Sequence, residues 1–533
     1  MFSNFILIQH HGAKNSRRQY ELQMGEVKAH AAKISHAKRR QKKRQIANEN
    51  SILRNEDDED SLPKLKETGP LVSGSWALHE EMRKNVCPCP QLLIGQGKLD
   101  PFQSGQAREL PPAMLQCLDH AFDVLWPKNA PALTGKLLEN TVRAWRRQNI
   151  QSDLHAYAQI CGAASLGQAL TKDPAKAKLL SSMKINYQTQ AIRLIHKEIS
   201  SLTGPPSANL LTAIVQISVS GQPDLAPVIG DSLPKTPVYK AFNMELYERF
   251  IPLGQEEHYR AMAVLIKNRG SLDSLPPGLA HPILLEDVVR ATHHIEKPLH
   301  PLPRLLAKQD FSPLLDAEAE DLLAELGSSF RFRPHHDRDE SLEKLILQTA
   351  EFTAAVDQYH RNSPTRCPLS DLAARSIVIQ HGVLCLPPAV TECAQGSFQP
   401  ADQYYEIARL SLMLYVTMVI FPCVAAPLLR QHQSELLQKQ LLLCFQHQAA
   451  QDPAPFSAGS DFNRLLLWSL LLGAIASPPT SETQEWYATQ LGAQVNARDL
   501  TWDEFNDEVR SFLFWDYVML GRTEDVCIEQ AVF

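Results

Sequence analysis

The chain has 533 residues, 44% of them apolar and 21% charged, which is enough for a sizeable core and excludes a disordered or fibrous protein; the length fits one large domain with appendages, or two domains. The net charge of −6 conceals a split, because Met1 to Asn55 hold twelve Lys/Arg against three Glu, net +9, and the remainder carries −15. Ten cysteines, scattered without even spacing, fit a reducing compartment better than a disulfide framework.

The first stretch, "MFSNFILIQHHGAK", has a short apolar run, no basic residues before it and no small-residue cleavage pattern, so it is expected to form a short strand or docking plug rather than a secretory signal. Then "HAKRRQKKRQ" concentrates Lys38, Arg39, Arg40, Lys42, Lys43 and Arg44. Such a run serves as a nuclear import signal, as a set of phosphate-neutralising contacts to DNA or RNA, or as a plain solvated charge run. A basic-leucine-zipper arm is a sharper idea, since Ala31, Ala32 and Ser35 have the right spacing. Lys28 stands where the base-reading Asn belongs, however, His36 where an Arg belongs, and Gln45, Ile52 and Glu59 occupy the heptad positions that leucines should fill.

Residues 1–60 thus read as a basic arm closed by the acidic run "EDDED", and residues 61–110, rich in Pro, Gly and Ser, read as a linker. Within that linker "CPCP" places Cys87 and Cys89 close together. A zinc site from His79, Cys87, Cys89 and His120 is the metal-binding alternative to an extended Pro-rich segment; the expectation is the latter, with no metal and no cofactor.

From about residue 111 the apolar period becomes helical. "MLQCLDHAFDVLW" places Met114, Leu115, Leu118, Phe122 and Leu125 on one face, and the pattern returns in "AYAQICGAASLGQAL", "QTQAIRLIHKEISSL", "HPILLEDVVRATHHI", "LEKLILQTAEFTAAV" and "FNRLLLWSLLLGAIA". β-type alternation is nearly absent, and no repeat period emerges. Residues 111–533 are therefore predicted to be an all-α domain of stacked helical hairpins, preceded by a basic, largely disordered N-terminal arm. Leu410 to Leu429 runs without a charge between Arg409 and Arg430 and meets the length rule for a membrane span, but Pro422 and Pro427 break its second half. A buried core helix ending near Phe421 is expected instead, with no membrane partner.

Enzyme signatures are missing. "GQGKLD" supplies Gly95 and Gly97 but no third glycine, and neither a Walker loop nor a nucleophile elbow is present, so the chain is predicted not to be an enzyme. "RPHHDRDE", with His335, His336, Asp337 and Asp339, and "ATHHIEK", with His293 and His294, are read as polar surface loops because neighbouring side chains point different ways. Trp126, Trp468, Trp502 and Trp515 are read as packing anchors.

Five stretches in order resemble the fungal-specific transcription factor domain: "LIGQGKLDPF" followed by "LDHAFDVLWP"; "YQTQAIRLIHKEI"; "VLIKNRGSLDSLPPGLAHPILLEDV"; "ARLSLMLYV"; and "LLWSLLLGAIA" with "EWY", "TWDEF" and "FLFWD". Ser271 replaces the second glycine of that family's Arg-Gly-Gly-Leu, and Glu286 replaces an expected small residue. The six-cysteine zinc module that normally precedes the domain is absent. The resemblance implies a nuclear transcriptional regulator, pathway-specific in the manner of secondary-metabolite cluster regulators. Its DNA targeting would be direct through Lys38, Arg39, Arg40, Lys42, Lys43 and Arg44, or indirect through a protein partner or a homo- or heterodimer. The same residues would meet a nuclear import receptor. The competing reading is a nuclear helical scaffold or adaptor that binds no DNA.

Overall fold

Short polar side chains open several of the helices. Ser152 accepts the His155 N–H, Asp173 accepts Ala175 and Lys176 with Pro174 in the first turn, Thr236 accepts Tyr239 beside Pro237, and Asp316 and Ser481 cap in the same way. Thr501 and Glu504 of "TWDEF" form a reciprocal capping box. The computed structural model of the chain describes residues 117–129, 135–219, 233–242, 256–275, 277–308, 311–330, 337–389, 400–421, 426–450 and 461–529. Among these the chain forms eighteen helices and no strand, as the apolar periodicity predicts.

The first five helices build a small core. They are α1 (117–129, with a π turn at Ala121–Leu125), α2 (Gly135–Gln151), α3 (Asp153–Leu170), α4 (Pro174–Ser200) and α5 (Ala208–Val219). Phe122, Leu154, Tyr157, Ile160, Leu180, Met183 and Tyr187 fill it. Arg146 of α2 reaches Asp119 and Asp123 of α1 at 2.8 and 2.6 Å and lies over the Phe122 ring, tying these two helices together. Helix α5 is apolar nearly all round, the pattern of a helix with neighbours on several sides. Its Leu210 and Ala213 enter the small core, Leu211 and Val215 enter a second, larger core, and Ile214 touches both.

The larger core takes α6 (Pro237–Ala241), α7 (Glu256–Arg269), α8 (Pro277–His294), α9 (Arg304–Ala307), α10 (Ala317–Glu325), α11 (Asp337–His360) and α12 (Leu369–Cys385). It continues through α13 (Pro400–Tyr415, extended by a π turn at Val416–Ile420), α14 (Ala426–Ala450), α15 (Asp461–Ala476), α16 (Glu482–Arg498), α17 (Trp502–Arg510) and α18 (Asp516–Glu529). The uncharged run lies in α13: every residue from Tyr405 to Phe421 is buried, and the helix stops at Phe421, where the sequence places its end. Among the described residues no helix is long and apolar enough to cross a membrane. Trp468 and Trp515 are fully buried, while Trp126 and Trp502 are half-buried against their cores.

Helix α15 is the centre of this core, with twelve consecutive buried residues from Leu465 to Ala476. It packs against α13, α14, α16, α17 and α18. Its approach to α16 depends on Gly473, where an added Cβ would lie 2.2 Å from the Tyr487 ring. That ring cannot yield easily, because it is buried and its hydroxyl donates to the Ser434 carbonyl of α14 at 2.7 Å. Gly382 of α12 differs: a Cβ there would meet only the tip of Leu345, at 2.6 Å. Gly473→Ala should therefore cost about 3 kcal/mol in urea unfolding. Gly382→Ala should be close to neutral, a small rotamer shift offsetting a helix-propensity gain of up to about 1 kcal/mol. Equal costs at the two sites would remove Tyr487 as the cause.

Candidate functional site

Most residues singled out in the sequence for binding lie outside the described residues: Lys38, Arg39, Arg40, Lys42, Lys43 and Arg44, the acidic run, and His79, Cys87 and Cys89 of the zinc alternative. Only His120 of that quartet is described, within α1. Among the described residues no group of three or more His, Cys, Asp or Glu is arranged to hold a metal. Of the two stretches expected as loops, His335 and His336 lie outside the described residues, and the described parts are helical instead. Asp337 to Glu340 form the first turn of α11, with Asp339 buried, and His293 and His294 form the last turn of α8, one half-buried and one exposed. Each polar stretch is taken up as the terminal turn of a helix whose apolar period lies directly beside it in the sequence.

A junction of buried polar groups lies where α8 ends against α12. Asp287 and Arg290 are both buried, three residues apart on α8; Asp287 Oδ1 accepts from Arg290 Nε and Nη2 at 3.4 Å and its Oδ2 accepts the His300 N–H at 2.8 Å. Arg290 Nη1 also reaches Glu296 at 3.4 Å. The helix closes through a Schellman-type turn, Glu296 N–H to the Ala291 carbonyl at 2.9 Å, with Ile295 at φ 52°. A β-branched residue in the left-handed region costs on the order of 1–3 kcal/mol, so the surrounding contacts must hold this turn in place.

From α12, Gln380 donates to the Thr292 hydroxyl at 2.8 Å, and His381 Nε2 contacts the His300 carbonyl at 2.9 Å. A carbonyl can only accept, which assigns the imidazole proton to Nε2 and leaves the Nδ1 lone pair toward Cys385 Sγ, 3.6 Å away. A nucleophile, a base and an orienting carbonyl are thus aligned. Burial nevertheless pushes the Cys385 thiol up and lowers the His300 and His381 imidazoles, so at neutral pH the pair is a thiol and a neutral imidazole rather than a thiolate and an imidazolium. The arrangement clamps the turn to α12 and lacks the thiolate character that nucleophilic chemistry needs.

A second buried network joins α13 to the segment after α12. Glu406 and Arg409 pair at 2.6 and 3.0 Å, Glu406 also accepts the Ala389 N–H at 2.8 Å, and the Tyr405 hydroxyl donates to the Pro387 carbonyl at 2.7 Å. Arg338 of α11 pairs with Asp402 and covers the Tyr405 ring.

The fourth and fifth of the stretches marked in the sequence meet in space; the third lies in the same larger core, "LDHAFDVLWP" and "YQTQAIRLIHKEI" lie in the small core, and "LIGQGKLDPF" lies outside the described residues. "LSLMLYV" and "LLWSLLLGAIA" are joined by the Ser411–Ser469 hydroxyl bond at 2.8 Å; Trp468 Nε1 donates to the Leu513 carbonyl of "FLFWD" at 2.9 Å and its ring stacks on Phe512 at 5.4 Å; Tyr487 of "EWY" faces Gly473. In "RGSLDS", Gly270 has φ 118°, whereas Ser271 is extended at φ −169°, a conformation open to any residue. The Ser271 hydroxyl accepts the Asp273 N–H, and Asp273 in turn accepts the Arg304 N–H at 2.7 Å. Glu286 of α8 is half-buried and accepts the Tyr259 hydroxyl of α7 at 3.2 Å; burial pushes its carboxyl up to about 7, against the smaller lowering from Tyr259.

No family model, curated protein or solved structure matches the chain.

Sequence reasoning missed Asp287, Arg290, His381 and Cys385. The first pair left a signal, two opposite charges within the apolar face of α8. The second left only an i, i+4 spacing, whose meaning depends on a carbonyl 81 residues away. Asp287→Ala should destabilise by about 3–5 kcal/mol, because it removes the buried carboxylate beside Arg290 and the acceptor of the His300 N–H, and Asp287→Ala with Arg290→Met should recover only the part of that loss due to Arg290 in the same urea titration. The Glu286 carboxyl holds its proton more tightly when folded, so stability falls as pH rises from about 4.5 to about 7 and stays low above that. Glu286→Gln should raise stability by about 1–3 kcal/mol at pH 8 and by almost nothing at pH 4.5; thermal unfolding at both pH values reads the difference.

Proposed function

We propose that the chain is a nuclear transcriptional regulator whose helical body is a partner-binding regulatory domain. In this reading Lys38, Arg39, Arg40, Lys42, Lys43 and Arg44 serve for nuclear import and for electrostatic attachment to DNA. The observation that supports the reading is the convergence of the last two marked stretches: among the pieces that resemble the fungal-specific transcription factor domain, those in α13, α15, α16 and the turn before α18 pack as one aromatic and aliphatic centre. A resemblance carried by unrelated surface fragments would have no reason to share a core. The body itself is acidic, with 24 Lys/Arg against 40 Asp/Glu from residue 218 onward, which disfavours wrapping of DNA around it and leaves phosphate contact to the arm. Base-specific choice of sites then falls to a partner or to dimerisation, since the chain carries no six-cysteine zinc module.

The test is chromatin occupancy of the tagged chain beside a form with the six basic residues changed to Gln and an unrelated import signal supplied. Discrete promoter peaks that disappear in the neutralised form are expected, with binding that weakens as salt rises. Peaks that persist would assign targeting to a partner and leave the arm as an import signal. Nuclear protein with no discrete peaks in either form would overturn the regulator reading in favour of the scaffold.

A further inference from the structure

The chain leaves α8 through a turn that is costly to hold, with Ile295 in the left-handed region at φ 52°, and runs on to α9 without a helix of its own. Two bonds that fix this irregular segment meet at one residue. The His300 N–H goes to Asp287 of α8 and the His300 carbonyl to His381 Nε2 of α12, at 2.8 and 2.9 Å. His381 is 7% exposed and both its ring nitrogens are engaged, Nε2–H with that carbonyl and the Nδ1 lone pair with the Cys385 thiol at 3.6 Å. This set of bonds is complete with a neutral ring. A second ring proton can enter only at Nδ1, where it meets the thiol in place of an accepting lone pair and puts a cation in a site largely closed to water.

The charged and titratable groups around the ring are Asp287 and Arg290 on α8, Glu296, Lys297 and His300 in the segment after it, and Cys385 on α12. Burial lowers the imidazole and outweighs the help that a cation would draw from the His300 carbonyl and from Asp287, while Lys297 adds to the lowering. Asp287 is moreover shared with Arg290 at 3.4 Å. We propose that His381 is an acid-sensitive latch: with a neutral ring it holds the segment after α8 against α12, and on protonation it turns toward water, gives up the His300 carbonyl and lets residues 295–303 come away. Because the folded form resists the proton, the stability that His381 contributes is complete above about 6.5, its ordinary value, and declines as pH falls below that. The latch lies in the helical body and involves neither the basic arm nor DNA, so it works whether or not the chain is a regulator.

Amide hydrogen exchange of the full chain, read by mass spectrometry at about pH 7.5 and about pH 5.5 and corrected for the intrinsic pH dependence of exchange, tests the latch. Peptides covering residues 295–303 should lose protection at the lower pH while those from α15 keep theirs. His381→Gln keeps a side-chain N–H for the His300 carbonyl but cannot titrate, so in that variant residues 295–303 should be equally protected at both pH values. In the histidine-labelled chain, the NMR signal that His381→Gln removes should titrate below 6.5. The latch is overturned if residues 295–303 of the wild type keep their protection at the lower pH, or if α15 opens together with them. It is equally overturned if His381→Gln shows the same loss, or if the assigned signal titrates at or above 6.5. The wild-type comparison needs no variant, so a misfolded substitution cannot rescue the proposal.

Discussion

The twelve buried residues of α15 set the constraint on which the larger core depends. A helix with no polar face must be enclosed on every side, and five neighbours are recruited to do it. Enclosure this complete leaves no solvent for the few polar atoms inside, so each must find a partner in the protein. The Ser411–Ser469 pair, the Trp468 indole on the Leu513 carbonyl and the Tyr487 hydroxyl on the Ser434 carbonyl are such partners; the first and last join two helices, and the second joins α15 to the turn before α18. Directional bonds of this kind fix how the helices register, where apolar contact alone would permit sliding. Gly473 belongs to the same logic, since its missing side chain is the space that the Tyr487 ring fills.

Around that centre the molecule buries charge, which is expensive unless paired and hydrogen-bonded. The Asp287–Arg290 pair and the Glu406–Arg409 pair each also accept a backbone N–H from a chain segment outside the helix, His300 on the Asp287 oxygen that Arg290 leaves free and Ala389 on a Glu406 oxygen shared with Arg409. Both therefore anchor an irregular segment that would otherwise carry an unpaired donor. An apolar replacement of similar volume would pack as well, but it would leave those turns unheld. The strained Ile295 turn sits within reach of this support, and the His381 contact to the His300 carbonyl closes the same segment from the α12 side.

Much of the helical body was legible because its signals are local. The apolar spacing of "FNRLLLWSLLLGAIA" and "HPILLEDVVRATHHI" gave helices where they occur, Pro422 foretold the end of α13, and Thr501 with Glu504 carried a capping box in four residues. Where the sequence reading failed, the deciding information was not local. His293, His294 and Asp337 to Glu340 were read as polar loops because neighbouring side chains point different ways, although a helix accepts such residues in its first or last turn. Nothing in "AFDVL" or "VTMVI" announces a π turn, and nothing near Gly473 names Tyr487 as its neighbour. The Cys385–His381 alignment is set by a turn that the chain reaches only through tertiary packing.

The division of α5 between two cores has a consequence for how the molecule responds as a whole. Leu210 and Ala213 on one side, Leu211 and Val215 on the other, and Ile214 between them make a single helix a structural member of both cores. Neither core can lose its order without withdrawing apolar cover from the other, so the two are coupled through α5. A substitution that loosens the packing of α4 would then weaken the larger core as well, with no change of shape passing between them.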